Sequence, residues 1–175
     1  RIYYTPEARE AEYELLPMAL DQGIATLVWG PLGEGLLTGK VRRGQQTPPG
    51  TRQGNDWPEP YVHDRERAYD IIEALIEVGQ RHGCSPARVC LAWLKDGPGI
   101  TSVITAGRTA EQLHDNLQAA ELVLTPKDQA QLEQVTRIAP QYPYWHRIAA
   151  QMDRIDPAEA AFIELHRETM KQHKQ

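Results

Sequence analysis

A glycine-rich segment over residues 30–40 has the composition of a loop that binds an anion. It reads GPLGEGLLTGK and follows the apolar run 24–29. Closely spaced glycines let backbone N–H groups approach a phosphate, and the Lys40 side chain adds a positive charge. The segment is not a Walker A loop, because Val41 follows the lysine where that motif has Ser or Thr, and it lacks the third glycine of the Rossmann fingerprint. On spacing alone, a phosphate-binding loop and a plain turn both stay open.

A second segment with suitable chemistry for an anion follows the apolar run 100–105. Residues 106–108 read AGR, and Thr109 then caps the start of a predicted helix. A helix N-terminus beside an arginine is a ready site for a phosphate. Gln112 and Asn116 are four residues apart and share one helix face, where their amides either recognise the planar edge of a base or remain solvated. Two such loops at the ends of neighbouring strands indicate one ligand that spans both.

The elements that must position these loops alternate between strand and helix. Gly23 and Gly83 end predicted helices, and Ser85-Pro86 begins another. The run 24–29 has no polar alternation, so we predict a strand that is buried on both faces. The predicted order is a strand at 3–4, a helix over 7–22, a strand over 24–29, a long loop over 30–63, helices over 64–82 and 85–96, a strand over 100–105, helices over 109–120 and 125–135, and a tail helix after Asp156. This order predicts an α/β fold with a parallel sheet, in which ligands gather at the carboxyl ends of the strands.

Composition and charge restrict the class of protein. The 175 residues are 41% hydrophobic and 25% charged, which is typical of a folded soluble domain. The formal net charge of −5 argues against nucleic acid or an anionic membrane as the main partner. No apolar run approaches the ~20 residues that a membrane span needs, and the first residues lack the apolar core of a signal peptide.

The cysteines and histidines indicate neither a disulfide framework nor a metal site. Cys84 and Cys90 are six residues apart, which points them to opposite faces if both lie on helical turns. The six histidines show no metal-ligand spacing, and no Ser-His-Asp or Cys-His arrangement is visible. We therefore expect reduced thiols in a cytoplasmic protein, and we assign no metal ligand.

Several motifs together strongly resemble the aldo-keto reductases, over residues 1 to about 145. The matching segments are YELLP at 13–17, ALDQG at 19–23, WGPL at 29–32, GLLTGK at 35–40, PARV at 86–89, SVI at 102–104, RTAEQL at 108–113, NL at 116–117 and LTP at 124–126. The resemblance implies an α/β fold of the (β/α)8 TIM-barrel type that binds NADP(H) in an extended form, without a Rossmann fold.

Within that fold, the chain corresponds to the C-terminal half of the barrel. Residues 1–139 would supply the last three strands, their helices and the NADP-binding loops, and residues 140–175 a C-terminal tail with a helix. The family's catalytic Asp, Tyr, Lys and His come from the first half of the barrel, and no residue here matches their motifs. The resemblance therefore implies no catalytic residue in this chain, and it implies the N-terminal half of the same barrel as a partner.

The resemblance also implies which residues bind the cofactor. Trp29 occupies the position where the family stacks an aromatic ring on the nicotinamide. The pyrophosphate would follow Gly30, Pro31, Leu32, Glu34, Gly35 and Lys40. The loop of Ala106, Gly107 and Arg108 would bind the 2′-phosphate together with Arg52, and Gln112, Asp115 and Asn116 would hold the adenosine end. Two positions depart from the family: Ala106 stands where a glycine is frequent, and Arg1 stands where a glutamine commonly holds the nicotinamide carboxamide.

The function that the resemblance implies is NADPH-dependent reduction of an aldehyde or ketone, or the reverse oxidation of an alcohol. The alternative is a nucleotide-binding regulatory module, or an inactive half-barrel, without turnover. A small carbonyl or alcohol is the expected substrate, and the tail helix is a possible contact of a homo-oligomer. Aromatic side chains either rim a substrate pocket or pack the tail, and these are Trp57, Tyr61, Tyr142, Tyr144 and Trp145.

Overall fold

The computed structural model describes residues 1–55, 58, 60–150, 155, 157–160 and 162–164. Its strands are β1 (Ile2–Tyr3), β2 (Leu27–Trp29) and β3 (Ser102–Val103). Its α-helices are α1 (Leu15–Asp21), α2 (Arg65–His82), α3 (Pro86–Lys95), α4 (Ala110–Leu117), α5 (Pro126–Thr136) and α6 (Tyr144–Ala150), and 3₁₀ turns span Glu10–Glu12, Gly33–Thr38, Arg52–Gly54 and Gln118–Ala120. Two residues singled out in the sequence, Trp57 and Asp156, lie outside the described residues.

The strands form one parallel sheet in the order β1-β2-β3. Val28 lies between Ile2 and Val103 in the register, and Trp29 lies beside Tyr3. One helix connects β1 to β2, and α2 and α3 connect β2 to β3. The predicted α/β class with a parallel sheet is therefore confirmed.

The sheet is buried on one face only. Val28 is fully buried in the core, whereas its neighbours Leu27 and Trp29 are 38% and 39% exposed. Successive side chains of a strand point to opposite faces, so the helices cover the face of Val28, and the other face is covered only in part. The predicted burial on both faces is wrong for this reason. The strand is also shorter than predicted, because Ile24 lies before β2 and is exposed.

The core lies between the covered sheet face and the helices. Helix α2 contributes Ile71, Ile72 and Leu75 to this core, and all three are fully buried. Side chains of Asp64, Ser85, Thr109 and Thr125 accept backbone N–H bonds at the starts of α2, α3, α4 and α5. These caps satisfy N–H groups that a helix leaves free, and they explain why the predicted starts of these four helices agree with the structure.

The predicted helix over 7–22 begins only at Leu15. Before it, the Thr5 hydroxyl oxygen accepts hydrogen bonds from the backbone N–H groups of Glu7 and Ala8. Such local bonds compete with helix formation, and they open the segment as a turn. The apolar spacing that predicted a longer helix reflects burial of this turn against the core.

A buried ion-pair network fixes this turn. Arg9 is 2% exposed and donates to both carboxylate oxygens of Glu12, at 2.8 and 3.1 Å. The same guanidinium donates to Glu133 and Thr136 of α5, each at 2.8 Å. The Tyr4 hydroxyl donates to Glu12 at 2.5 Å. One arginine therefore joins the turn after β1 to α5.

We expect Arg9→Leu to lower the free energy of unfolding by about 3–5 kcal/mol, because it leaves the Glu12 carboxylate buried without its partner. Urea titration measures the loss. Arg43→Leu is the matched control, since it breaks half-exposed ion pairs with Glu66 and Asp70 and should cost less than about 1 kcal/mol. Equal losses in the two variants would contradict the central role of Arg9.

A second buried carboxylate, that of Asp128, takes part in the capping box at the start of α5. It accepts hydrogen bonds from Thr125 at 2.6 Å and Arg81 at 2.6 Å, and it lies 2.7 Å from Nε2 of His82. Burial raises the pKa of Asp128, but the hydrogen bonds from Thr125, His82 and Arg81 outweigh it and hold the pKa well below its usual range. The ionised form therefore stabilises the fold.

Because the pKa of Asp128 is lower in the folded state, its stabilisation is present above the unfolded pKa of about 3.9 and is lost as the pH falls toward the folded value. We expect Asp128→Asn to cost about 2–3 kcal/mol at neutral pH, and we expect this difference to shrink below pH ~4. Thermal unfolding at a series of pH values measures it. Asp70→Asn, from an exposed pair with Arg43, serves as the control. A pH-independent difference for Asp128→Asn would refute the assignment.

Candidate functional site

The carboxyl end of β2 leads directly into the glycine-rich turn. Gly33, Glu34 and Gly35 follow one another with φ of 55°, 52° and 94°. These left-handed conformations suit glycine and are rare for a residue such as glutamate. The chain therefore reverses sharply here, and Glu34 lines a cavity together with Trp29.

The backbone of this turn is open on one side. A Cβ atom built at Gly35 meets nothing within 4 Å, whereas one built at Gly30 would lie 3.1 Å from the Tyr3 ring. Pro31 is buried and its carbonyl accepts a hydrogen bond from Cys90, and Leu32 is half-buried. Backbone near Gly35 is thus free to approach a ligand, while Gly30 and Pro31 hold the turn against the core.

The second predicted loop follows β3 and is braced by α4. The backbone N–H of Arg108 donates to the Gln112 side chain at 3.0 Å. The buried Asn116 donates its side-chain N–H groups to Thr105 and to the carbonyl of Ala106, at 3.2 and 3.1 Å. The two amides, for which recognition of a base and solvation both stayed open in the sequence, therefore hold the backbone of this loop in place.

Gly107 permits this close approach of loop and helix. A Cβ atom there would lie 2.5 Å from the backbone nitrogen of Leu113 and 2.9 Å from the Thr109 carbonyl oxygen. Neither contact can relax by moving a flexible side chain, because both atoms belong to the backbone. The position accepts only glycine in this arrangement.

A third segment brings the two loops together. The Arg108 guanidinium donates to the carbonyl of Gly50 at 3.3 Å. Two residues further along, Arg52 forms an ion pair with Glu34 of the glycine-rich turn. The structure thus assembles Trp29, the turn and Arg108 along the carboxyl ends of β2 and β3, as a ligand spanning both loops requires.

Two predicted site residues lie outside this assembly of contacts. The Asp115 carboxylate accepts hydrogen bonds from Ser85 and from Arg88, so it is engaged by the start of α3. Lys40 is exposed beyond the 3₁₀ turn. Their predicted contacts with a nucleotide stay predictions.

A cavity of about 500 Å³ lies beside Trp29. Tyr61, predicted as a possible rim residue, lines it together with Tyr3, Glu7, Ala8, Glu10, Trp29, Glu34, Pro58, Pro60 and His63. Sequence analysis missed the two acids of the 7–10 segment, because it placed them on a helix. Their signal is the pair of glutamates directly after β1, since residues at that end of a parallel strand face the ligand side. The tail aromatic Tyr144 stacks on Tyr13 at 4.5 Å, which favours the tail-packing interpretation.

The described residues contain neither a helix suited to a membrane nor a cluster of metal ligands. Over those residues, no helix has both the length and the apolar character of a membrane span. In the same part of the chain, no three His, Cys, Asp or Glu side chains are grouped so as to hold a metal ion. Cys84 and Cys90 are free thiols.

Comparison with known proteins gives a consistent result. A family model described as the aldo/keto reductase family matches residues 2–137. The chain is 36% identical over 123 residues to the uncharacterized oxidoreductase YrpG of Bacillus subtilis. The aligned residues make up 69% of this chain and 35% of that protein. It is 30% identical over 120 residues to the NADH-specific methylglyoxal reductase of Escherichia coli, and the aligned residues make up 69% of this chain and 36% of that reductase. It is 30% identical over 145 residues to a probable voltage-gated potassium channel subunit beta of Arabidopsis thaliana, and the aligned residues make up 79% of this chain and 43% of that subunit. The chain therefore spans well under half the length of these relatives.

We expect Gly107→Ala to displace the 106–108 loop from α4 and to lower the free energy of unfolding by about 1–3 kcal/mol, the range for inserting a methyl group into filled space. Thermal unfolding measures the loss. Gly44→Ala is the control, because Gly44 has a positive φ of 68° but open space around it, and it lies away from both loops. Only Gly107→Ala should also weaken binding of a phosphate-bearing ligand, and unchanged binding would remove this loop from the site.

Proposed function

Since the chain belongs to the aldo/keto reductase family, we propose that it is the cofactor-binding part of an NADPH-dependent reductase of aldehydes or ketones. The fold that goes with this proposal is a (β/α)8 barrel, with residues 1–139 as its C-terminal half and 140–175 as a tail. The observation that supports the proposal is that Trp29, the open turn at 33–35 and Arg108 all lie along the carboxyl ends of β2 and β3. Hydride transfer in the complete protein also requires the family's Asp, Tyr, Lys and His, none of which we assign to this chain.

The residues present fit an extended dinucleotide. The Trp29 ring is partly exposed at the end of β2, where it offers a stacking surface to the nicotinamide. The open backbone beside Gly35 suits the pyrophosphate, with Gly30, Pro31 and Leu32 as its support. Bound NADPH supplies a hydride, and the part of this chain is to bind the cofactor and fix which face of the ring is presented.

Arg108 is the better candidate of the two arginines for the 2′-phosphate. Arg52 forms an ion pair with Glu34, so part of its charge is already balanced. The Arg108 guanidinium donates to a neutral carbonyl, that of Gly50, and it is exposed. A planar guanidinium forms paired hydrogen bonds to a phosphate, so Arg108 is suited to distinguish NADP from NAD.

A second candidate function is a nucleotide-binding regulatory module without turnover. The similarity to a potassium channel beta subunit over 79% of the chain favours this second function. The same loops would then hold NADP(H) as a signal rather than as a reactant. The main proposal also includes the partners and the location. The partners are a small carbonyl or alcohol as substrate, the N-terminal half of the barrel and a second copy of the chain. The location is the cytoplasm, where the free thiols Cys84 and Cys90 would stay reduced.

The experiment that separates these functions is a titration of the complete protein, which includes the N-terminal half of the barrel, with NADPH, followed by an oxidation assay. Binding is measured by the change in nicotinamide fluorescence, and turnover by loss of NADPH absorbance when an aldehyde is added. Binding with aldehyde-dependent oxidation supports the reductase. Binding without oxidation across a panel of carbonyls supports the regulatory module, and absence of binding overturns both.

We expect Arg108→Ala to weaken NADPH binding about tenfold or more and to leave NADH binding nearly unchanged, because only NADPH carries the 2′-phosphate. The same fluorescence titration measures both constants. Arg65→Ala, which removes an exposed arginine at the start of α2, controls for the loss of one positive charge. Equal losses for the two cofactors would refute the role of Arg108.

A further inference from the structure

We propose that Glu34 competes with the phosphate groups of the ligand for the Arg52 guanidinium, so that the glycine-rich turn is held neutral until a ligand displaces this acid. The inference rests on the proposed function, since it takes that ligand to be a dinucleotide with a pyrophosphate. Glu34 is then a contact within the chain that lowers the affinity for the cofactor and favours its release.

The first observation is the backbone conformation of Glu34. Among the described residues it is the one non-glycine with a positive φ, at 52°, and its neighbours Gly33 and Gly35 also have positive φ. Glycine adopts this conformation without strain, whereas other residues rarely do. The turn would therefore form more easily with a third glycine at position 34. A strained residue beside a proposed ligand site indicates that its side chain has a role there.

The second observation is the place of the Glu34 carboxylate. The side chain is only 14% exposed, and its Oε2 atom is buried. A Cβ atom built at Gly30 would lie 3.6 Å from the other carboxylate oxygen, Oε1. The acid therefore lies against the start of the same turn that is proposed to bind the pyrophosphate. A carboxylate at this place repels an anion unless a cation balances its charge.

Arg52 is the cation that balances this carboxylate. Its guanidinium forms an ion pair with Oε2 of Glu34. Because the carboxylate is largely buried, loss of its partner would be costly. A guanidinium binds a carboxylate and a phosphate through the same N–H groups, so Glu34 and a phosphate compete for them. While the ion pair is formed, its two charges cancel, and the turn attracts an anion less strongly.

The Arg52 backbone is positioned without help from Glu34. The Thr51 hydroxyl oxygen accepts a hydrogen bond from the backbone N–H of Gly54 at 3.1 Å, and its O–H donates to the carbonyl of Pro48 at 2.7 Å. A Cβ atom built at Gly54 would lie 2.6 Å from that carbonyl oxygen, so this turn is tightly closed. Removal of the Glu34 carboxylate should therefore leave the arginine in place, where a phosphate can bind it.

The test is calorimetric titration of the complete protein, which includes the N-terminal half of the barrel, with inorganic pyrophosphate and with NADPH. Glu34→Gln removes the negative charge and keeps the size of the side chain. We expect it to bind both probes about tenfold more tightly, because a charge-assisted hydrogen bond becomes available to the phosphate. Glu34→Gly, which suits the φ of 52°, should give the same gain and keeps the test decisive if glutamine disturbs the turn.

Two controls assign the gain to Arg52. Glu14→Gln removes an exposed glutamate outside the glycine-rich turn, and it should leave both affinities unchanged. The double variant that combines Glu34→Gln with Arg52→Gln should return both affinities to near the wild-type values, because the cation released by the first change is then absent. Circular dichroism confirms that each variant is folded.

The outcomes distinguish this proposal from the proposed function. Equal or weaker binding by both Glu34 variants, or a gain that persists in the double variant, would overturn the competition even if NADPH-dependent reduction is found. Tighter binding of pyrophosphate without any binding of NADPH would support the competition for an anion, and the reductase proposal would then fail. Absence of binding of either probe to every variant would overturn both.

Discussion

The Arg9 guanidinium is the contact on which the arrangement of this structure depends. It is buried, and its hydrogen bonds reach from the turn after β1 to α5 across more than a hundred residues of chain. It also lies 5.4 Å from the Trp93 ring of α3, on which Tyr4 stacks. Because β1 is only two residues long, its own hydrogen bonds hold it weakly. The position of the first strand, and of the two glutamates that follow it at the cavity, is therefore set by an ion-pair network rather than by the sheet.

The ligand side of the sheet is shaped by a different kind of contact. There the side chains of Asn116 and Gln112 hold a loop by its backbone, and Glu34 holds Arg52. These polar groups act on the loop rather than toward the solvent. A residue that a family pattern associates with a ligand can thus serve that ligand indirectly, by fixing the backbone that meets it.

Much of the helical architecture could be predicted from the sequence, and the reasons are local. Asp64, Ser85, Thr109 and Thr125 cap the helices that they were expected to begin, because a cap depends only on its own turn. The family could also be predicted, since its motifs are specific, and the family model confirms it. The candidate site was predicted through that resemblance, and its residues have been placed by the structure but not tested.

The errors share a physical cause, which is contact between distant residues. Residues 7–14 were predicted as part of a helix because their apolar spacing does not reveal Glu133 or Thr136, which bond to Arg9 from more than a hundred residues away. The burial of β2 was overestimated because an apolar run does not indicate which of its faces is covered. In the same way, the acid pair at the cavity becomes visible only when Tyr61 and Pro60 are folded against it.

The sheet adds a consequence for how the molecule folds. Helices α2 and α3 are neighbours in sequence and pack on each other, so they can meet early, whereas Thr26 and Thr101, whose bond joins β2 to β3, lie 75 positions apart. Closing so long a loop is slow. The contact between α2 and α3 is therefore local in sequence, whereas the pairing of β2 with β3, on which the ligand-binding edge depends, joins distant parts of the chain.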